Sequence, residues 1–226
     1  MKRLIQPEFL DTLSPDDPGA QRSRRDLWHI NWCLRHHVIM ARALQAQLDR
    51  TPGRITELGA GDGKFLLHVA RQTGWNNVEA VLLDRQKNVS ADTLAAFSQI
   101  GWRAEPLVTD VFDWPPGANL EEVIIANLFL HHFDSVRLVD LLKKVSERTK
   151  LFIAIEPMRF TPLVISELLL RLLGCNQITR HDAKVSIRAG FIGQEIYALW
   201  PVKKNWRVVE RCTRLGSHLF IAKRRE

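Results

Sequence analysis

Short apolar runs alternate with helical patterns along residues 54–157, and this alternation constrains the fold more than any other feature of the sequence. The runs that predict strands read RITEL, VEAVLLD, EPLVTD, EEVIIANL and LFIAIEP. Helices are predicted between them over KFLLHVARQTG, over residues 88–99 and over SVRLVDLLKKVSERT. Strands that alternate with helices of this length form right-handed βαβ units. The sequence therefore predicts an α/β fold with a doubly wound, mostly parallel sheet.

The segments on either side of this alternation carry different patterns. From Ser23 to about Leu48, apolar residues recur every three or four positions, which predicts one helix capped by Ser23. A second apolar helical stretch spans residues 160–174, and the end of the chain, with QEIYALWP, WRVVERC and HLFIAKR, is predicted to add strands. We expect a helical N-terminal cap over residues 1–50 and a main domain over residues 51–226, with a helical lid insert at about 158–190.

The composition limits the kinds of partner and compartment. The net charge of +7 is spread over small clusters and forms no basic run, so nucleic acid is not expected as a partner. The three cysteines lie far apart in the chain, which predicts neither a disulfide framework nor a zinc cluster. No stretch reaches the roughly 18–20 apolar residues of a membrane span, and the N-terminus lacks the apolar core of a secretion signal. We therefore expect a cytoplasmic protein with no membrane span.

The loop between the first predicted strand and helix lies in the sequence ITELGAGDG. Its glycines, Gly59, Gly61 and Gly63, allow a ligand to touch the backbone, and the helix start offers unpaired N–H groups. A dinucleotide loop would read GxGxxG, and here the third glycine comes one residue too early. Glu57 and Asp62 flank the loop, and each carboxylate would repel a phosphate charge by roughly 4 kcal/mol at ~4 Å and an effective dielectric of ~20. The loop is predicted to bind a cationic ligand.

A ligand with a carboxylate, an ammonium and a sulfonium matches this charge layout. The loop N–H groups would hold its carboxylate while the acids face its positive charges, and S-adenosylmethionine has that layout. Polar residues also end the next predicted strands. Asp84 would accept both ribose hydroxyls, Asp110 would accept from the adenine amino group, and Asn127 would lie beside the methyl-transfer centre.

ExGxGxG, followed by an acid at the end of each of the next two strands, resembles the class I S-adenosylmethionine-dependent methyltransferases over roughly residues 50–157. The resemblance implies a Rossmann-like, seven-stranded sheet that ends in a reversed hairpin, with residues 51–226 as the S-adenosylmethionine-binding catalytic domain. The residues expected to bind the cofactor are Glu57, Gly59, Ala60, Gly61, Gly63, Asp84, Arg85, Asp110, Val111, Asn127 and Leu128.

Two flanking regions suggest a narrower resemblance. DDPGAQRSRRDL with NWCLRHH, and HDAKVSIRAGFIGQE with ALWP, look similar to the small bacterial methyltransferases that accompany type III polyketide synthases. This resemblance implies an aromatic or alkyl-phenolic acceptor and a role in secondary metabolism.

Methyl transfer needs a nucleophile held ~3 Å from the sulfonium methyl on the correct axis. A phenol has a pKa near ~10, so a neighbouring base helps, and histidine is the usual choice. NLFLHHFD places His131 and His132 just past Asn127, and Glu156 ends LFIAIEP, where it would bind a substrate hydroxyl or orient a histidine. We predict these three as the catalytic residues. No metal is expected, because adjacent histidines point apart and no third ligand is evident.

Several other residues are weaker candidates. Arg159 and Arg188 would bind an acidic substrate group, although surface charge is the commoner use of arginine, and His181 would complete a catalytic pair. Trp28 and Trp32 lie four residues apart, which is more typical of packing than of recognition. If they face the cofactor, their helix and residues 160–180 would form an apolar lid.

The favoured function is methyl transfer to oxygen of a small hydrophobic, phenolic or polyketide-like acceptor. Transfer to carbon would use the same residues, so the sequence does not separate the two reactions. An RNA or protein methyltransferase is the main rival, supported by the net charge of +7. A base-amine enzyme is disfavoured because NLFL replaces the Asn/Asp-Pro-Pro-aromatic motif. An NAD-dependent oxidoreductase and a cofactor-binding protein without turnover are more distant alternatives. The exact acceptor, the regiochemistry and the choice between monomer and homodimer stay open.

Overall fold

A computed structural model of the 226-residue chain describes residues 3–14, 16–115, 121–159 and 163–225. Within this part of the chain, no helix combines the length and the apolar character that crossing a bilayer requires.

The described residues form a seven-stranded sheet in the order β3-β2-β1-β4-β5-β7-β6. The strands are Arg54–Leu58 (β1), Val78–Asp84 (β2), Trp102–Val108 (β3), Glu121–Asn127 (β4), Thr149–Pro157 (β5), Trp206–Cys212 (β6) and Ser217–Arg224 (β7). Strands β1 to β5 pair in parallel, whereas β7 runs antiparallel to both β5 and β6. The predicted fold class, including the reversed C-terminal hairpin, is confirmed.

Helices precede, connect and follow these strands in the described residues. They are Phe9–Thr12 (α1), Pro18–Cys33 (α2), His36–Gln47 (α3), Lys64–Thr73 (α4), Ala91–Gln99 (α5), Ser135–Arg148 (α6), Leu163–Leu172 (α7), Gln177–Ala189 (α8) and Glu195–Leu199 (α9).

Two apolar clusters cover the two faces of the sheet. One joins α3, α4 and α5 to the sheet through fully buried residues such as Leu44, Leu66 and Phe97. The other joins α6 and the region around Trp200 to side chains such as Phe152. Although most of α3 belongs to the first core, α2 lies over the cleft through Trp28 and Trp32. The division into a cap over residues 1–50 and a catalytic domain over 51–226 stays a prediction.

The single helix predicted from Ser23 to Leu48 is wrong. The chain breaks between α2 and α3, where Arg35 takes a φ of 55°. Helix α2 begins earlier than predicted, at Pro18, and the side chain of Asp17 caps it by accepting from the N–H of Ala20 at 2.8 Å. Ser23 lies buried inside α2 and accepts a hydrogen bond from Thr179 at 2.8 Å, so it joins α2 to α8.

The strand predicted over QEIYALWP is also wrong, because Glu195–Leu199 forms α9. Both oxygens of Glu210 accept from the backbone N–H groups of Ile196 and Tyr197, which satisfies donors at the start of that short helix. The helical segment predicted over 160–174 corresponds to α7, and its first three residues lie outside the described part of the chain.

The chain order reverses between β1 and β4, which are neighbours in the sheet. In sheets of this kind ligands bind at the carboxyl ends of the strands beside such a switch point. The glycine loop that follows β1 lies at this place.

Candidate functional site

Two adjoining cavities lie at the carboxyl ends of the parallel strands, with volumes of about 230 Å³ and about 440 Å³. Both are lined by Gly59, Gly61 and Leu128, so the glycine loop forms their common wall. Every predicted cofactor-binding residue except Gly63 lines one of the two. Gly63 instead begins α4 with a φ of 74°, and a Cβ there would lie 2.8 Å from Leu82.

The other two glycines of the loop serve different purposes. Both adopt positive φ, 67° at Gly59 and 56° at Gly61, a region that side-chain-bearing residues rarely adopt. A Cβ on Gly59 would lie 2.2 Å from the ring of Phe129, so glycine is needed there for packing. A Cβ on Gly61 would meet nothing within 4 Å and would project into open space at the cavities.

Three backbone donors of the loop are already used within the protein. The N–H of Ala60 donates to the carbonyl of Leu83 at 3.0 Å, and that of Gly63 donates to Ala60 at 2.9 Å. The N–H of Gly61 donates to Oδ2 of Asp84 at 2.9 Å. Local turns and the acid at the end of β2 thus occupy these three N–H groups, and the expectation that the loop N–H groups hold a ligand's carboxylate stays a prediction.

Glu57, at the end of β1, is the buried acid of the smaller cavity. It is 2% exposed, and its Oε2 has no hydrogen-bond partner among the described residues. Burial, followed by the nearby charges of Asp62 and Asp84, raises the pKa of Glu57 well above its usual value. A buried carboxylate oxygen without a partner is costly, and a cation would relieve that cost.

Asn127, at the end of β4, lines the same cavity next to a histidine that the sequence analysis did not single out. His36 is fully buried, and its Nε2 lies 2.7 Å from Oγ of Ser217. Burial lowers the pKa of His36 to about 4, against the effect of Asn127, which raises it, so His36 is neutral at neutral pH. The neutral imidazole of His36 thus lies beside the end of β4 and the start of β7 without adding charge there.

An aromatic wall, formed by Trp28, Trp32, His37 and His68, lines the smaller cavity together with Glu57. Nε1 of Trp28 donates to Nε2 of His68 at 3.1 Å, and the rings of Trp32 and His37 stack with centroids 4.5 Å apart. The two tryptophans of α2 thus line the cleft and are not merely packing residues. Burial lowers the pKa of both histidines, so the wall is largely uncharged at neutral pH.

A basic cavity of about 780 Å³ adjoins the aromatic wall and shares Trp28 and His68 with the smaller cavity. Its lining includes four cationic residues, which are Arg24, Arg25, Lys64 and Lys87.

Asp84 and Asp110 lie in the larger cavity, as predicted from their places after β2 and β3. Oδ1 of Asp84 accepts from the N–H of Gln86 at 2.8 Å, and Oδ1 of Asp110 accepts from that of Phe112 at 2.9 Å. These bonds fix both carboxylates at the cavity wall, and each retains acceptor capacity for a ligand hydroxyl or amine.

His131 lies at the far end of the larger cavity, clamped between two carboxylates. Its Nδ1 is 2.8 Å from Oε2 of Glu156, and its Nε2 is 3.3 Å from Oε1 of Glu8. Glu156 is fully buried and also accepts from the backbone N–H groups of Phe129 and Leu130, at 3.0 and 2.8 Å. Of the two roles expected for Glu156, this contact is the one that a carboxylate orienting a histidine would make, and the role itself stays a prediction.

The two carboxylates control the protonation of His131. Burial lowers its pKa, but the hydrogen bonds and charges of Glu156 and Glu8 outweigh burial and raise the pKa to about 9. His131 therefore holds its proton at neutral pH, and this arrangement does not favour the general-base role expected for it. The sequence analysis did not single out Glu8, because no local sequence pattern identifies an acid whose partner, His131, lies far away in the sequence.

His132 follows in the same short 3₁₀ turn, with its ring centroid 4.3 Å from that of His131. Ligand-type atoms of Glu8, His131 and His132 all lie within 4.8 Å of one another. The two arguments made against a metal here, divergent histidines and the lack of a third ligand, therefore do not hold for this geometry.

The weaker candidates take up structural contacts. Arg159 is buried and donates to the carbonyl of Gly190 at 2.6 Å and to Glu195, so it joins chain segments. The ring of His181 stacks on Phe9 with centroids 4.0 Å apart, and its Nδ1 lies 3.0 Å from Asp182. The backbone carbonyl of Arg188 accepts from the N–H of Leu4 at 3.1 Å.

No protein-family model matches the chain, and no curated protein sequence matches it. Solved structures match along most of its length. The plantazolicin methyltransferase BpumL in complex with SAH is 14% identical, with a TM-score of 0.67 over 93% of this chain and 92% of that one. The mitomycin 7-O-methyltransferase MmcR is 19% identical, with a TM-score of 0.63 over 96% of this chain and 60% of that one.

The pyocyanin biosynthetic protein PhzM is similar to the same degree. It is 16% identical, with a TM-score of 0.63 over 97% of this chain and 62% of that one. At these identities the comparisons show a common fold, so this chain has the fold of these methyltransferases and of the pyocyanin biosynthetic protein.

Proposed function

We propose that the protein is an S-adenosylmethionine-dependent methyltransferase that acts on a small hydrophobic acceptor. The observation that carries the proposal is Glu57, a buried acid with an unpartnered oxygen, beside a glycine loop in which three backbone N–H groups are already used. The site offers negative charge and few backbone donors, so it favours a cationic group over a phosphate.

The cofactor would lie along both cavities. Its adenine and ribose fit the larger cavity, where Asp110 and Asp84 supply acceptors for an amine and for hydroxyls. Its ammonium fits the smaller cavity beside Glu57. Its carboxylate would lie toward Arg24 and Lys64, which supply positive charge to the lining of that cavity. S-adenosylmethionine supplies the methyl group as a sulfonium substituent.

The acceptor would occupy the rest of the larger cavity. The cavity carries the apolar side chains of Leu10, Leu27, Leu128, Phe129 and Phe133 near the polar pair His131 and His132. Apolar side chains next to a few polar groups suit an aromatic or polyketide-like molecule. Nε2 of His131 would hold the acceptor oxygen, with Glu156 fixing the ring through Nδ1. Holding the oxygen in line with the methyl is most of the catalysis.

The name of one structural neighbour favours oxygen as the atom that is methylated. MmcR is a mitomycin 7-O-methyltransferase, and BpumL is a methyltransferase of plantazolicin. As part of the proposal, this protein transfers the methyl group to an oxygen of a phenolic or polyketide-like acceptor. The proposal also includes a role in secondary metabolism and a cytoplasmic location. The kinship with enzymes that accompany type III polyketide synthases rests on the sequence resemblance alone.

Calorimetric titration with S-adenosylmethionine, S-adenosylhomocysteine and NAD tests the cofactor. We expect micromolar binding of the first two and none of NAD. The Glu57→Gln variant should weaken both adenosyl ligands by at least about tenfold, because it removes the charge that faces the ammonium, a loss of about 1.4 kcal/mol. Glu167→Gln, on α7, is the matched control. Binding of NAD in place of the adenosyl ligands would contradict the proposal.

One observation favours an anionic macromolecular acceptor, namely the basic cavity beside the aromatic wall. RNA binding there would weaken steeply with salt. A fluorescence titration with a short RNA at low and at physiological salt separates the two functions, and salt-sensitive micromolar binding would favour the RNA methyltransferase.

A further inference from the structure

The N-terminal segment brings a carboxylate into the larger cavity, and α8 holds it there. Oδ1 and Oδ2 of Asp182 accept from the backbone N–H groups of Phe9 and Leu10, at 2.9 and 3.1 Å. Ser186, one turn further along α8, donates its hydroxyl to Oε1 of Glu8. Two backbone anchors and one side-chain bond therefore set the position of the Glu8 carboxylate, which lines the cavity.

The two carboxylates that contact His131 differ in whether a bound ligand can reach them. Glu156 is fully buried, and its oxygens accept from ring and backbone donors of the 3₁₀ turn. Glu8 lies on the cavity side of the ring, its side chain is 11% exposed, and its contact with Nε2 of His131 is long, at 3.3 Å. Glu8 is therefore the carboxylate that a bound acceptor can reach.

We propose that Glu8 is a catalytic residue that accepts the proton of the acceptor hydroxyl, while His131 donates a hydrogen bond to the same oxygen. This proposal rests on the proposed methyltransferase function. The hydroxyl approaches this pair from the cavity, where its oxygen accepts from Nε2 of His131 and its O–H donates to the Glu8 carboxylate.

The atoms and charges of this step balance. The acceptor oxygen forms a bond to the methyl carbon, the carbon–sulfur bond breaks, and its electron pair stays on sulfur. The O–H proton passes to the Glu8 carboxylate and from there to solvent. A carboxylate is a weak base toward a free phenol with a pKa of ~10. It suffices here because the hydroxyl becomes strongly acidic as its oxygen bonds to the methyl carbon, so the proton can leave late.

The protonation states agree with these roles. Burial raises the pKa of Glu8, but the hydrogen bond and charge of His131 outweigh burial and bring the pKa to about 2. At neutral pH Glu8 is thus an ionised acceptor, and His131, with its raised pKa, is a donor at both nitrogens. The other titratable or charged groups around this pair include Glu156, His132 and Arg137, which lines the same cavity, and Arg3, which donates to the carbonyls of His131 and Phe133.

The kinetic test compares Glu8→Gln, Glu8→Asp and the control Glu167→Gln on a panel of substituted phenols with S-adenosylmethionine. Glu8→Gln should lower kcat by about a hundredfold or more, the range of a lost general base. Glu8→Asp should recover part of the rate, and S-adenosylhomocysteine affinity should stay within about threefold in all variants. The acid limb of the wild-type pH–rate profile should lie below pH ~5 and not near the ~6.5 of a histidine base.

A second, spectroscopic experiment does not require methyl transfer to take place. With S-adenosylhomocysteine bound, 4-nitrophenol should bind the wild type as the neutral phenol that donates to Glu8, and bind Glu8→Gln as the phenolate beside the His131 imidazolium. The two forms absorb at different wavelengths. Identical spectra in both proteins, or no binding to either, would overturn the proposal.

Two further results would also overturn it. One is a kcat of Glu8→Gln within about threefold of wild type. The other is activity that EDTA abolishes and a divalent metal restores, because Glu8, His131 and His132 would then act as metal ligands. Loss of S-adenosylhomocysteine binding by the wild-type protein would instead contradict the proposed function, so the two failures are distinguishable.

Discussion

Asp84 accepts a hydrogen bond from the backbone N–H of Gly61 at 2.9 Å, so the acid that ends β2 also fixes the glycine loop after β1. The same carboxylate lines the cavity proposed for the cofactor ribose. Removing it would therefore affect ligand contacts and loop geometry at once.

The Asp84→Ala variant should weaken S-adenosylhomocysteine binding by about tenfold to a hundredfold, because it removes a charge-assisted hydrogen-bond acceptor of ~1.5–3 kcal/mol. Calorimetry measures the affinity. Asp84→Asn keeps an acceptor for Gly61 and should lose less. Equal losses in the two variants would show that the charge, and not the loop contact, is what matters.

Gly59 and Gly61 form a matched pair for separating folding from binding. Gly59→Ala places a Cβ 2.2 Å from the Phe129 ring, and the clash and the positive φ together should cost roughly 2–5 kcal/mol of stability. Gly61→Ala carries only the backbone strain, about 1–2 kcal/mol, but its Cβ enters the cavity. Thermal unfolding and calorimetry on both variants should show a larger stability loss at Gly59 and a larger affinity loss at Gly61.

Glu57 should strengthen ligand binding and lower the stability of the ligand-free protein. Its folded pKa is raised, so the stability of the free protein declines as pH rises from the unfolded pKa toward the folded one. The Glu57→Gln variant has no such charge to bury. Its Tm at pH 8 without ligand should equal or exceed that of wild type, although it binds S-adenosylhomocysteine more weakly. A lower Tm would mean that Glu57 has a cationic partner in the free protein.

The sheet and the glycine loop were predictable because their signals are local. Each of these signals lies within a few residues of sequence. They are the apolar runs of the strands, the glycines of the strand-to-helix loop and the acids at the strand ends. The features that were not predicted depend on contacts between residues far apart in the sequence. Helix α9 forms where Glu210 caps it, and the break at Arg35 lets α2 lie over the cleft while α3 joins the core. The contact of Glu8 with His131 joins residues 123 positions apart, which no local pattern reveals.

The clamp on His131 should also be visible in the pH dependence of stability. Its folded pKa, about 9, exceeds the ~6.5 of an unfolded histidine, so its stabilising contribution is complete below pH ~6.5 and is lost as pH rises through about 9. Glu8 has the opposite sign, since its pKa falls to about 2 and its contribution is lost as pH falls toward that value.

The His131→Asn variant should therefore lose more Tm relative to wild type at pH 6 than at pH 10. His29→Asn, at an exposed position, is the control and should show no such difference. Thermal unfolding at the two pH values measures both. A Tm difference between His131→Asn and wild type that does not change with pH would mean that His131 is neutral in the folded protein. Such a result would return it to the role of a base and remove the reason to assign that role to Glu8.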